Sequence, residues 1–436
     1  MFLSLLRSSG FVVGLRVSGA IFGILTQFLL ARFLGADEVG LFFVVLGLAS
    51  ILSIICTLGY PMLVPRIAAE ASVETDSSKL SSFMLQAWLD SGVMCLFLIF
   101  LMMIIAWIVF SNSVSFHMIM VFAALNLPGF VLLRLNGALA NALKYFDLGF
   151  LPDIFVRPFL LLAVVLVLSI SISQMSIEII LFVHAVTAII LAFVQFFLLR
   201  DRTDLQVFSI KARAGSNKKL RQDWRHRAPP MIIIALFTNV FADLDIVITR
   251  LYLNDAETGI FGVCLKISLF IGFAIQVIYQ LILRDTADAL HIGDDKELQM
   301  VINRANFLTL LSSVIATIII LVFGKELLGF FGAPFQIGYE SLVLLMFAQV
   351  VRAAMGPASQ ILTLTGHERS CWPVFLSCMV LLFVGNLVLI PWIGLAGAAL
   401  TVVIVYAMWS IWMALLVREK LGVTTSFFLP ATRPSM

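Results

Sequence analysis

The sequence predicts an all-α polytopic membrane protein, with twelve transmembrane helices in two six-helix lobes related by a parallel repeat. Three observations carry that prediction. Hydrophobic residues make up 61% of the 436 residues and charged residues 12%, with a mean hydropathy of +1.09. A soluble domain carries about 25% charged residues, so this chain cannot cover a soluble surface. Apolar runs of about 20 residues, the length that crosses a bilayer as a helix, recur along the whole chain. The chain also repeats itself half its length apart. Residues 32–42 read R-F-L-G-A-D-E-V-G-L-F and residues 250–261 read R-L-Y-L-N-D-A-E-T-G-I-F. Arg32 matches Arg250, Glu38 matches Glu257, Gly40 matches Gly259 and Phe42 matches Phe261, with one inserted residue; further on Tyr60 pairs with Tyr279, Arg66 with Arg284 and Arg134 with Arg352. A repeat of this length in an apolar chain is the trace of a duplicated membrane bundle.

Taken in order, the predicted spans are about 10–34, 39–60, 83–110, 117–136, 148–170, 177–199, 229–252, 257–283, 306–323, 339–355, 371–392 and 396–417. The first is too long for the apolar core of a cleavable signal, holds Arg16, and lacks a small-residue cleavage site. Orientation follows from the basic residues, which concentrate on the cytoplasmic side. With the N-terminus inside, inner segments hold 21 Lys and Arg and outer loops hold only Lys325. Both termini are therefore expected to be cytoplasmic. The expected organisation is an N-terminal lobe over 1–199, a basic cytoplasmic linker over 200–228, a C-terminal lobe over 229–417 and a cytoplasmic tail over 418–436. The linker holds nine basic and three acidic residues. It sets topology, and it could also bind anionic headgroups. Segments 61–82 and 284–305 occupy matching places and read as short amphipathic cytoplasmic helices. Six spans per repeat make the repeats parallel, and such an architecture puts the substrate path between the lobes.

Several chemistries find no support. The five cysteines all fall in apolar stretches with no CxxC pair, as structural thiols do. The five histidines are scattered without metal-ligand spacing. There is no P-loop and no GxSxG, so neither an enzyme nor a cofactor is expected, and nothing points to nucleic acid.

The informative residues are the ionisable ones in or near the spans, acids at the very ends of spans and the inner-end Arg352 set aside; near the middle of a span each costs roughly 2.5–3.5 kcal/mol on insertion. Six are basic: Arg16, Arg32, Arg134, Arg157, Arg250 and Lys266. Four are acidic: Asp90, Asp153, Asp243 and Asp245. Arg32 and Arg250 lie near outer ends and Arg134 near an inner end, where long side chains can snorkel to headgroups. Arg157, Asp243, Asp245 and Lys266 lie deeper. Asp153 and Arg157, four apart, share a helix face and can pair; the pair either neutralises itself or orients the arginine toward an anion. Asp243 and Asp245, two apart, face different ways. One could bind a proton or Na⁺ while the other pairs with Lys266 or Arg250. Asp153, Asp243 and Asp245 are thus the candidate ion-coupling residues.

The stretch R-V-S-G-A-I-F-G-I-L-T-Q-F-L-L-A-R-F-L-G-A-D-E-V-G-L-F (16–42) and the later G-K-E-L-L-G-F-F-G-A-P-F (324–335) carry a resemblance. With the twelve-span pattern and the halfway basic loop, the chain resembles the polysaccharide biosynthesis (O-antigen flippase) branch of the multidrug/oligosaccharidyl-lipid/polysaccharide exporter superfamily. That resemblance implies an all-helical two-lobe exporter-type fold with a central cavity, in the bacterial inner membrane. It implies a flippase that moves a polyprenyl-pyrophosphate-linked oligosaccharide from the cytoplasmic to the periplasmic leaflet for surface polysaccharide synthesis. Alternating access, H⁺ or Na⁺ coupling, contact with membrane lipids and a polysaccharide polymerase partner belong to the same expectation. The family's embedded basic residues carry over to Arg16, Arg157, Arg250 and Lys266 as substrate-binding candidates, since pyrophosphate favours arginine and lysine. Six bases against four acids is only a modest cationic excess. A cation-coupled multidrug exporter on the same fold is the alternative, with Asp243 or Asp245 central; a membrane scaffold for a polysaccharide assembly complex ranks third.

Overall fold

The computed structural model describes residues 2–74, 77–108, 113–171, 176–203, 218–228, 231–292 and 295–427. Every regular element among them is helical. Twelve helices are long and apolar enough to cross a membrane. The all-α reading and the number of spans therefore hold among the described residues.

The chain forms two compact units, Met1–Val247 and Ile248–Met436. In the first, α1 (Phe2–Leu34) and α2 (Ala36–Cys56) are joined at Gly35, whose φ of 90° suits a residue without a Cβ. Next come α3 (Tyr60–Glu74), α4 (Ser77–Ile108) and α5 (Val114–Ala142). The fifth span is composite: α6 (Phe146–Phe150), a π-helical turn over Leu151–Val156, and α7 (Arg157–Ser171). Then follow α8 (Ile177–Arg202), the linker helix α9 (Lys218–Arg227) and α10 (Met231–Thr249). The core of this unit gathers Tyr60, Phe83, Met84, Leu127 and Leu135 with Trp224 from α9. A smaller cluster joins Ile51 and Ile54 of α2 to Ala235 and Val240 of α10. The seventh span thus packs within the first compact unit for nearly all its length. Residues 204–217 of the expected linker, and 428–436 of the expected tail, lie outside the described residues.

Close helix approach rests on small and amide side chains, as membrane bundles require. The Gly129 Cα of α5 meets the Ala188 backbone of α8, where a Cβ would collide. Asn136 Nδ2 donates to the Ala192 carbonyl at 3.0 Å and accepts at Oδ1 from the Trp88 indole at 3.2 Å. Gln195 Nε2 donates to the Leu148 carbonyl at 2.7 Å.

The second unit contains α11 (Asp255–Ile292), α12 (Asp295–Phe331), a 3₁₀ turn over Ala333–Gly338, α13 (Tyr339–Met355), the short α14 (Ala358–Leu364), a 3₁₀ turn over Glu368–Cys371, α15 (Trp372–Ile393) and α16 (Leu395–Leu421). Thr401 of α16 packs into the space above Gly385 of α15. The C-terminal strap is tied to α12, where Gln299 Nε2 donates to the Thr424 carbonyl at 2.9 Å and Gln299 Oε1 accepts from the Thr424 N–H at 3.2 Å.

Two details depart from the sequence reading. The ninth span runs over Lys296–Phe331 rather than about 306–323; a helix does not stop where its apolar stretch ends. The two segments expected to be cytoplasmic helices also differ. α3 is a separate helix, because Leu58 and Gly59 adopt φ of 52° and 81° and break the chain after α2. Its counterpart is no separate helix: α11 runs unbroken to Ile292 and α12 begins at Asp295. The second half has Val277 and Ile278 where the first has Leu58 and Gly59, so nothing there favours the left-handed break. All five cysteines are buried thiols.

Candidate functional site

The embedded charges of the N-terminal unit collect where α2, α5, the π-turn and α10 supply polar groups. Arg134 of α5, half-buried, is the hub. Its Nε donates to Ser53 Oγ at 2.7 Å and its Nη2 to Ser50 Oγ at 3.0 Å. Ser50 and Ser53 stand three apart on α2 and so share one face. Ser53 Oγ donates onward to the Ser50 carbonyl at 2.6 Å. Asp153, Asp243 and Arg157 all lie within Coulomb reach of Arg134. Sequence reasoning expected Arg134 to snorkel; instead two hydroxyls from another helix hold it. Neither serine was singled out as a functional residue in the sequence, because nothing in their spacing ties them to α5.

Asp153 and Arg157 do pair, Oδ1 to Nη2 at 2.9 Å, with 41% and 22% of their side chains exposed. The local backbone shapes this. Pro158 has no N–H to give the Ile154 carbonyl, so regular α-helical bonding lapses there. The Arg157 N–H reaches back to the Pro152 carbonyl, the longer span of a π-helical turn. The Ile154 carbonyl then presses against Gly19 of α1, where any Cβ would overlap it. Phe22 of α1 packs against Phe155 and Phe159 with ring centroids 5.3 and 5.4 Å apart.

The guanidinium of Arg157 also lies over the Phe130 ring, 4.6 Å from its centroid, a cation–π contact. Phe130 meets the His184 ring edge-on at 5.8 Å. His184, buried, shares a 2.7 Å hydrogen bond between Nδ1 and Asn126 Oδ1. Asn126 Nδ2 donates to the Phe122 carbonyl at 2.8 Å. His184 and Asn126 were not singled out in the sequence; no spacing between them announces a contact made across two helices.

Asp243 is half-buried on α10, and Asp245, two residues on, is fully buried. α10 is bent just before them: Val240 has φ −134° and ψ 18°, outside the helical range. Thr238 Oγ1 donates to the Ile234 carbonyl at 2.7 Å and Asn239 Nδ2 to the Ala235 carbonyl at 2.9 Å. Such back-bonding competes with the helical N–H for the same carbonyls and bends helices without proline. Gly47 of α2 faces the Asp243 carbonyl and the Val247 side chain, each only 3.2 Å from where a Cβ would stand.

Arg16 sits half-buried on α1, its guanidinium 5.4 Å from the Phe150 ring centroid. Arg250 and Lys266 belong to the C-terminal unit. Arg250 Nε pairs with Asp255 at 2.5 Å and Nη1 donates to the Leu253 carbonyl at 3.1 Å. This ties down the turn before α11. Lys266 is half-buried on α11. Among the described residues no cluster of three or more His, Cys, Asp or Glu could hold a metal ion.

No protein-family model and no curated protein matches the chain. Solved structures do. A multidrug resistance MATE family transporter of the MOP superfamily, inward-facing, superposes with a TM-score of 0.74 at 12% identity, over 92% of this chain and 94% of that one. The lipid II flippase MurJ, inward closed, gives 0.68 at 12% identity over 92% and 86%. A MOP superfamily transporter from Pyrococcus furiosus, described with a binding pocket of reverse polarity, gives 0.59 at 14% over 94% and 95%. At these identities the likeness establishes the fold alone: the chain shares the all-helical fold of these transporters.

Proposed function

We propose that the protein is an alternating-access membrane transporter, a cation-coupled exporter of small amphiphilic molecules whose coupling site is the Arg134 network. The observation that carries this reading is the state of the embedded charges. Arg157 is committed to Asp153 and Arg250 to Asp255, so two of the four cations expected to receive a pyrophosphate already have carboxylate partners. In the N-terminal unit the two arginines at the network are matched by Asp153 and Asp243, and Asp245 adds a buried acid. Acid in that balance suits H⁺ or Na⁺ binding. Six of the similar structures are MATE transporters, which supports the same side.

In this mechanism Asp243 takes up a proton or Na⁺ and loses its pull on Arg134. Arg134 then leans on Ser50, Ser53 and Asp153. α10, already bent at Val240, is the element that answers the change. Reconstituted protein tests the reading. Under an imposed pH or Na⁺ gradient, efflux of a cationic dye is expected, with Asp243→Asn lowering the rate and altering its ion dependence. A rate that ignores both gradients in the wild type sinks it.

A second reading is favoured by the motifs at 16–42 and 324–335 and by the likeness to a lipid II flippase. In it the protein flips a polyprenyl-pyrophosphate-linked oligosaccharide across the bacterial inner membrane, alongside a polysaccharide polymerase. Arg16, Arg157, Arg250 and Lys266 are its substrate residues, with Arg157 leaving Asp153 to meet phosphate. Loss of surface polysaccharide on Arg157→Ala or Lys266→Ala, with the variants expressed, decides for it. Normal polysaccharide in both removes it.

A further inference from the structure

The repeat pairs Arg134 with Arg352, yet the two arginines live differently. In the register that joins Tyr60 to Tyr279, the partners Ser50 and Ser53 of Arg134 correspond to Leu269 and Gly272. The second copy has lost both hydroxyls. Arg352, half-buried in the last turn of α13, makes no ion pair and no hydrogen bond among the described residues. Its contact is the Trp409 ring, 5.5 Å from Cζ. A cation withdrawn from water without a counter-charge is costly, and here the second unit leaves a space beside it.

That space is a cavity of about 20 Å³ lined by Tyr279, Arg352, Ser359, Gln360, Trp409 and Ser410. It has room for one guest of the size of a water molecule. The lining is rich in donors and no carboxylate belongs to it. The Ser410 hydroxyl, 6% exposed as a residue, has no hydrogen-bond partner. The Tyr279 hydroxyl, 2% exposed, has none either. Ser359 Oγ donates to Gln360 Oε1 at 2.9 Å, which occupies the acceptor end of that amide and leaves its N–H₂ end as the available one. A buried hydroxyl without a partner is costly, and two at one cavity beside an uncompensated arginine share one remedy.

We propose that this cavity is an inorganic anion site for a single chloride-sized ion. Arg352 supplies the charge, and Tyr279, Ser410 and the Gln360 amide supply hydrogen bonds. The ion takes the place that the two serines of α2 fill in the first copy. It compensates the arginine of the C-terminal unit and stabilises that unit, independently of the cargo and of the coupling residues.

The test uses purified full-length protein, unfolded thermally in sodium chloride and in sodium gluconate at equal ionic strength. Chloride or bromide is expected to raise the melting temperature saturably over gluconate. Ser410→Ala, which removes one oxygen atom and leaves the backbone untouched, weakens halide affinity about tenfold or more, the loss of one hydrogen bond to a charge. Arg352→Gln abolishes the halide response. Bromide gives an anomalous scattering peak beside the Arg352 guanidinium. Equal melting of the wild type in chloride and gluconate overturns the proposal. So does a halide response of full size in both variants. Stabilisation by inorganic phosphate but not by halide overturns the chloride-sized assignment, because the guest would then be a phosphoryl group.

Discussion

Arg225 of α9 grips Asp90 of α4 with both arms of its guanidinium, Nε to Oδ2 at 2.9 Å and Nη2 to Oδ1 at 2.6 Å. Tyr60 donates its hydroxyl to the same Asp90 Oδ2 at 2.6 Å. Burial, and then the bond to Asp90, push the Tyr60 phenol above its ordinary range, so it stays protonated and keeps donating. Beside them Trp224, buried, stands edge-on to Phe83 at 5.1 Å. Charge and indole together dock the linker helix on the first bundle, and α10 follows directly.

Breaking that grip should loosen the linker helix. Arg225 is 59% exposed and Asp90 14%, so solvent screens the pair and its worth is about 1 kcal/mol. Asp90→Asn is expected to raise the rate of tryptic cleavage within residues 218–227 roughly fivefold, the equivalent of that energy. An unchanged digestion rate would show that Trp224 alone docks the helix.

The contact of α2 with α10 at Gly47 has no spare volume. Gly47→Val forces the Asp243 carbonyl and the Val247 side chain apart, at a cost of about 1–3 kcal/mol typical of overpacking. A lower melting temperature for the purified variant is the expected result. Its transport should fall as well, since Asp243 moves with α10. A melting temperature equal to wild type would mean that this helix pair is not held as described.

Asp153 and Arg157 should behave as a coupled pair. A double-mutant cycle with Asp153→Asn and Arg157→Gln is expected to return a coupling of about 1 kcal/mol in thermal unfolding, the upper range for part-exposed pairs. Additive effects would show two independent residues.

α3 and α4 are clipped together at Glu70, which pairs with Lys79 and Arg66, each at 3.1 Å. The Lys79 bond first, then the Arg66 bond, hold the Glu70 carboxyl below its ordinary value of 4.5. A depressed carboxylate adds stability that is present above the unfolded value and fades as pH falls through the folded one. The wild type should therefore lose stability below about pH 4.5, and Glu70→Gln should flatten that part of the profile. Parallel acid profiles for the two proteins would count against the clip.

The sequence alone determined much of this molecule, because its main signals are local. Each span announces itself by its own apolar length, and the distribution of Lys and Arg sets the expected orientation without any contact. The repeated turn at Arg32 and Arg250 marks the duplication for the same reason. Even the Asp153–Arg157 pair was legible, since four residues along a helix fix a shared face. Partners on different helices were not legible. Nothing in the spacing of Ser50, Ser53 and Arg134 says that α2 and α5 bring them together. Nor does it say that Arg352, the repeat mate of Arg134, lost those hydroxyls and faces a cavity instead. Hydropathy reports that a charge is embedded, but what neutralises it is a property of packing between distant segments. That distinction, made only in three dimensions, moved the functional weight from a cationic phosphate site toward a balanced network at Arg134.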